Sequence, residues 1–151
     1  MTYTAKITWK SDSRETFTKN RYTRGHMWEF DGGVTVLASS SPHAVRLPYS
    51  VEAAVDPEEA LVAATASCHM LSFLWVAANA GFNVESYEDN AEGMMATTDA
   101  GKQWISTITL DPQIVWSGDK VPTAQELAAL HHEAHEVCYI ANSIKSDVVV
   151  K

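Results

Sequence analysis

Cysteine is scarce in this chain, with 2 in 151 residues, Cys68 and Cys138. No close Cys pair exists, so a structural zinc site on paired thiols and a multi-disulfide scaffold both lack their raw material. Basic residues are few as well: 11 Lys and Arg stand against 19 Asp and Glu, a net charge of −8. They form no cluster, which argues against nucleic acid as a partner, since phosphate contacts need a basic face. The opening residues, Met1 to Lys6, lack the charged-then-apolar layout of a signal peptide. A reducing, cytoplasmic compartment is therefore expected, where a lasting disulfide is disfavoured and a transient one stays open.

A third absence is longer. Ala60 to Phe82 contains no Asp, Glu, Lys or Arg, and such a run is long enough to span a bilayer. Its Ala, Ser, Thr and Asn content and the central Cys68-His69 dilute the hydrophobicity, and no Lys or Arg stands close by to orient it. The expected element is the buried central helix of a globular protein, not a membrane span. Repeats, low-complexity tracts and linkers are also missing, and 151 residues suit one domain, 1–151.

The remaining pattern is mixed. Tyr3, Ala5, Ile7 and Trp9 alternate with polar residues, predicting an opening strand with one buried face. Tyr22–Phe30 and Val34–Ala38 flank Asp31-Gly32-Gly33, the pattern of a hairpin. Asp56, Pro57 and Glu59 mark a helix start with a capping box, and Gly81 marks its stop. With no charged face, that helix should be covered on most sides by a sheet and by a second helix or a partner chain. Val84–Ala96 and Trp104–Leu110 read as strands, and Asp111-Pro112 as a turn. Thr123 and Glu126 form another capping box, opening a helix with Leu127, Leu130, Ala134 and Val137 on one face. Ser146–Lys151 closes the chain as a strand. Strands, helix, strands, helix, strand in that order predict an α+β domain.

The two thiols name a chemistry. Cys68 lies mid-helix in Ala66-Ser67-Cys68-His69-Met70 and Cys138 near the end of the second helix, before the looser Tyr139–Ser143. A buried helical cysteine is by itself most often a small core residue. A fixed central thiol together with a more mobile terminal one is the layout of an attacking and a resolving cysteine. His131 and His135, four apart, share a helix face with Cys138 one turn on. His132-Glu133-Ala134-His135 is one residue short of the zinc-protease motif, so no metal is expected. A metal module built on Cys68, His69, His135 and Cys138 is the rival reading, and His135 is expected to pack or hydrogen-bond near Cys138.

Asp56-Pro57-Glu58-Glu59-Ala60-Leu61-Val62-Ala63-Ala64-Thr65-Ala66-Ser67-Cys68 resembles the first cysteine motif of the OsmC/Ohr family, the osmotically inducible and organic hydroperoxide resistance proteins. Ala134-His135-Glu136-Val137-Cys138 resembles the second, about 70 residues on. The resemblance implies an OsmC-like fold: antiparallel sheets around a long central helix, in an intertwined homodimer. It implies a thiol peroxidase acting on organic hydroperoxides, with Cys68 peroxidatic, Cys138 resolving and Glu58 in the family's acidic position. An early-strand arginine holds the thiolate; Arg24 is the choice here and Arg21 the fallback. No bound cofactor is implied, only an external dithiol of lipoyl type. The alternative is a redox-sensing or binding member of the family without efficient turnover. Two positions depart from the pattern: Cys138-Tyr139 lacks the family's intervening proline, and His69 replaces an aromatic residue.

The chemistry fits those roles. An ordinary thiol, with a pKa of about 8.5, is only a few per cent thiolate at neutral pH, so an attacker in a central helix needs a cation. Arginine keeps its charge when partly buried, and a carboxylate beside it fixes its fork. Glu58 and Cys68 are ten residues apart on one helix, about 15 Å in rise and about 80° in facing, so a shared site calls for Glu58 from a second subunit. Met70, Phe73, Trp75 and Trp28 are candidates for an apolar substrate wall, each with core packing as its plainer role.

Overall fold

The computed structural model describes residues 1–151. It falls into two compact units, Met1–Ala60 and Leu61–Lys151. The first contains the antiparallel sheet β1 (Ala5–Thr8), β2 (His26–Phe30) and β3 (Thr35–Ala38), in that order. The β2–β3 turn closes as its residues demand: Gly33 takes φ +84, its N–H reaches the Phe30 carbonyl, and the Phe30 N–H reaches Val34. Both faces of β1 are exposed in the single chain, against the expected one buried face. It is an edge strand, and its unit holds no helix beyond a 3-10 turn and the first turn of α1 (Pro57–Asn79).

Helix α1 starts where the sequence places it. Asp56 Oδ1 accepts from the Glu59 N–H at 2.8 Å, and Glu59 Oε2 accepts from the Asp56 N–H at 3.2 Å. At the other end Gly81 donates to the Ala78 carbonyl and Phe82 to that of Ala77, with Gly81 at φ +82. That pair of bonds satisfies two carbonyls the helix leaves free and turns Phe82 back onto Ala77 in the core. By length and composition α1 could cross a bilayer. One face is instead packed into the protein, through Thr65, His69, Phe73, Val76 and Ala77.

The second unit adds β4 (Asn83–Asp89), β5 (Glu92–Thr97), β6 (Gln103–Leu110), β7 (Pro112–Ser117), α2 (Ala124–Val137) and β8 (Asp147–Val150). The single strand expected over 84–96 is two, in different sheets: β4 pairs antiparallel with β7, and β5 with β6. Asp89 Oδ1 accepts the Asp111 N–H at 2.8 Å, where the β4–β5 and β6–β7 connections pass from one sheet to the other. Strand β7 was not expected: it begins within the turn read at Asp111-Pro112, with Pro112 in its first position, where no ladder donor is required. Strand β8 joins β6 in parallel. The core sits between α1, α2 and the β4–β7 pair: Phe73, Val76, Ala77, Phe82, Leu130 and Ala134, ringed by Val84, Tyr87, Ile114, Trp116 and Leu127. Strand β5 also approaches α1 closely, since a Cβ on Gly93 would lie 2.6 Å from Val62 Cγ2.

Candidate active site

Helices α1 and α2 run past each other in opposite senses, and their seam holds the candidate site. His69 and Phe73 of α1 meet His131 of α2, and two turns further along α2 Cys138 lies beside Cys68. The second helix is locally determined, by a full capping box between Thr123 and Glu126 and by Leu127, Leu130 and Ala134 on the core face. Cys138 is its C-cap, with extended backbone at φ −72 and ψ 113.

Both cysteines are free thiols, Cys68 half-buried and Cys138 fully buried. Burial pushes the Cys138 thiol up from its ordinary range, and the neighbouring Cys68 thiol adds to the shift. The Ala141 N–H, 3.4 Å from Cys138 Sγ, acts in the opposite direction. The segment after Cys138, expected to be loose, is pinned: Asn142 donates from its backbone and its side chain to the Cys138 carbonyl, both at 3.1 Å. Cys138 is thus held in place beside Cys68 by the fold itself.

Beside the thiols lies a pair the sequence did not single out. His69, 1% exposed, has Nε2 at 3.0 Å from His131 Nδ1. The ring planes differ by 11° with centroids 5.3 Å apart, so the two nitrogens face each other edge to edge, one ring donating and the other accepting according to tautomer. Phe73 covers His131, with ring centroids 4.4 Å apart. Burial, then the charges of His131 and His135, lower His69 to about 4. Burial lowers His131 as well. His69 Nδ1 is buried without a partner. Of the two roles expected of His135, the buried hydrogen bond is made by His131 instead. No three His, Cys, Asp or Glu side chains converge as a metal site, so the set Cys68, His69, His135 and Cys138 does not form one.

Arg24 and Glu58 belong to the first unit, Cys68 and Cys138 to the second. Arg24 lies half-buried before β2, with its guanidinium 3.6 Å from the Tyr22 ring centroid. Its Nη1 donates to the carbonyls of Asn20 at 3.0 Å and Tyr22 at 2.6 Å. The chain's two ion pairs are Lys6–Glu29 and Lys151–Asp111, so neither Arg24 nor Glu58 has a charged partner within one chain. Glu58 is exposed in the first turn of α1, while its neighbour Glu59 closes the capping box. The fallback, Arg21, is exposed and engages Thr16 through its backbone. Of the apolar-wall candidates, Phe73 is wholly core. Trp28 is half-buried and donates through Nε1 to His26 Nε2 at 3.0 Å, Met70 is half-buried, and Trp75 is 59% exposed.

Comparison with known proteins bears on the fold and on the family. The family described as OsmC-like protein matches residues 50–151. An OsmC-like protein of unknown function from Vibrio cholerae is 52% identical, with a TM-score of 0.95, over 100% of this chain and 98% of that one. An organic hydroperoxide resistance protein OsmC from Legionella pneumophila is 21% identical, with a TM-score of 0.63, over 99% and 94% of the two chains. The organic hydroperoxide resistance protein OhrB of Bacillus subtilis is 20% identical, with a TM-score of 0.67, over 99% and 96%. At those identities the last two speak to the fold alone. No curated protein matches the sequence.

Proposed function

Because the chain belongs to the OsmC-like protein family, and because its two thiols are neighbours at the α1–α2 seam, we propose that it is a cysteine-based peroxidase reducing organic hydroperoxides to alcohols. The neighbouring thiols carry this reading. Two relatives of the same fold are named organic hydroperoxide resistance proteins.

Cys68 is the attacking group, being the less buried of the two. Its thiolate attacks the distal peroxide oxygen, the O–O bond breaks, and the alkoxide takes a proton to leave as an alcohol. Cys68 is then a sulfenic acid. Cys138, held as a neutral thiol by burial and by its contact with Cys68, brings its own proton. Its sulfur bonds to that of Cys68, and the displaced hydroxide leaves with that proton as water. An external dithiol of lipoyl type restores both thiols by exchange, in the cytoplasm where such a reductant is kept reduced.

Arg24 serves the thiolate and Glu58 orients Arg24, in a site completed by a second copy of the chain. Supporting this, Arg24 and Glu58 are left without charged partners in one chain. Helix α1 offers Leu71, 61% exposed, and Trp75, 59% exposed, on a stretch free of charge. An intertwined homodimer with paired α1 helices covers that stretch.

Stopped-flow oxidation by cumene hydroperoxide, followed by intact mass, tests the reading. Wild type loses two hydrogens and turns over with a dithiol, Cys138→Ser stops at a sulfenic acid, and Cys68→Ser consumes no peroxide. Disulfide formation without dithiol turnover would instead place the chain among redox sensors, and absence of Cys68 oxidation would end both readings.

A further inference from the structure

A single polar contact joins the two helices that carry the thiols. His69 Nε2 of α1 and His131 Nδ1 of α2, 3.0 Å apart, form the only side-chain hydrogen bond between them, and no ion pair crosses the seam. The remaining packing there is apolar, through Phe73, Leu130 and Ala134. Apolar burial is non-directional, so it holds helices together more than it fixes their register. A hydrogen bond weakens steeply when misaligned, and does fix it. His69 adjoins Cys68 in sequence, and His131 stands two turns before Cys138. The Cys138 N–H donates to the His135 carbonyl, so that cysteine moves with its helix. A slip of α2 along α1 therefore carries Cys138 away from Cys68.

The bond has room for few protons. His69 Nδ1 is buried without a partner, and a buried N–H lacking an acceptor is rarely tolerated. The proton of His69 therefore belongs on Nε2, donating to His131 Nδ1. A further proton on His131 Nδ1 would set two donors face to face unless His69 moved its own to the buried Nδ1. A further proton on His69 would lie on that same nitrogen. Either route leaves an orphaned buried donor. No neighbour relieves it. His135 of α2 adds like charge when protonated, β4 brings Tyr87 onto Phe73 as a neutral phenol, and β7 brings the uncharged Trp116. Asp89, at the end of β4, accepts from Asp111.

We infer that His69 and His131 are positioning residues for the joining of the thiols: their hydrogen bond fixes the register of α2 on α1 that keeps Cys138 beside Cys68. That role belongs to the thiol chemistry proposed above but needs no peroxide, and the test uses none. Full-length protein is equilibrated with glutathione and glutathione disulfide, approached from the reduced and the oxidised side, and read by intact mass after acid quenching. One glutathione disulfide takes two electrons and two protons from the thiols, leaving two glutathione molecules and a Cys68–Cys138 disulfide. At pH 7, His69→Phe and His131→Leu should each lower that equilibrium constant about tenfold. His69→Gln should stay within about twofold of wild type, since its amide can donate to His131 Nδ1 or turn to accept from it. From pH 7 to pH 5 wild type should lose more of its disulfide than His69→Gln, because glutamine takes up no proton. Circular dichroism at each pH confines the comparison to folded protein, in which a loss of stability alone leaves the constant unchanged. If His69→Phe does not fold, His131→Leu carries the comparison. A folded His69→Phe or His131→Leu that equilibrates as wild type does, a His69→Gln that falls with them, or equal acid loss in wild type and His69→Gln would overturn the assignment. Disulfide closure with the variants ranked as expected, in a protein that reduces no hydroperoxide, would support it and end the peroxidase reading instead.

Discussion

At the scale of single residues the two cysteines differ in what surrounds them. Cys138 is fully buried, with its thiol pushed up first by burial and then by Cys68. Iodoacetamide should therefore label Cys68 in the native protein while Cys138 resists, and denaturant should abolish the difference; mass-mapped time courses read both. The sign of the Cys138 shift is that of a group folded as its neutral form, so its stabilising contribution is present at neutral pH. It is lost as pH rises above the ordinary thiol range. The cation assigned to Cys68 is open to the same probe. Arg24→Ala should move the Cys68 alkylation profile to higher pH, and an unmoved profile would take Arg24 out of the site.

At the scale of elements, the α1–α2 seam couples an imidazole pair to a thiol pair. His131 and Cys138 are two turns apart on one helix, and their partners His69 and Cys68 are adjacent on the other. His69 is lowered to about 4, and His131 is lowered too, so the unfolded chain binds protons at these positions before the folded one does. Stability is full above about pH 6.5 and falls as pH drops toward 4, by on the order of 2–3 kcal/mol for His69. Urea unfolding at pH 7 and at pH 5 should show that loss. The double substitution His69→Phe with His131→Leu should flatten the slope, while a slope unchanged by it would remove the pair as the cause.

The seam also shows what a sequence hides. His131 and His135 were visible as a helical pair, but the partner of His131 lies 62 residues away on another element, and no local signal joins them. Element starts and stops were legible, since capping boxes and Gly81 act within a few residues. The break between β4 and β5 and the existence of β7 were not, because sheet membership is decided by partners remote in sequence. Gly93 belongs to the same class. Gly93→Ala should destabilise by about 1–3 kcal/mol, as overpacking against Val62 does, and a chemical-denaturation curve coincident with wild type would show that the strand can shift.

At the scale of the whole molecule, the single chain leaves Leu71 and Trp75 of α1 and both faces of β1 open. A second copy is the proposed cover, and it supplies Glu58 across the interface. Sedimentation should give a dimer, shifted toward monomer by Trp75→Glu. A mixing experiment goes further. Glu58→Gln and Cys68→Ser homodimers should each be defective in peroxide turnover, and co-refolding them should restore part of the activity. One site of each mixed dimer then holds both residues. No recovery from a demonstrably mixed population would place Glu58 and Cys68 in separate roles.

What the sequence by itself determined is whatever acts at short range or through residue identity: the capped helix starts, the uncharged central helix, the two thiols and the motifs around them. Those follow from backbone hydrogen bonds that close within one turn and from chemistry that only cysteine carries. Tertiary structure alone decided that the two thiols are neighbours and that His69 and His131 meet in the seam at 3.0 Å. Each of these depends on how separate segments fold onto one another, and burial and proximity of that kind are properties of packed surfaces.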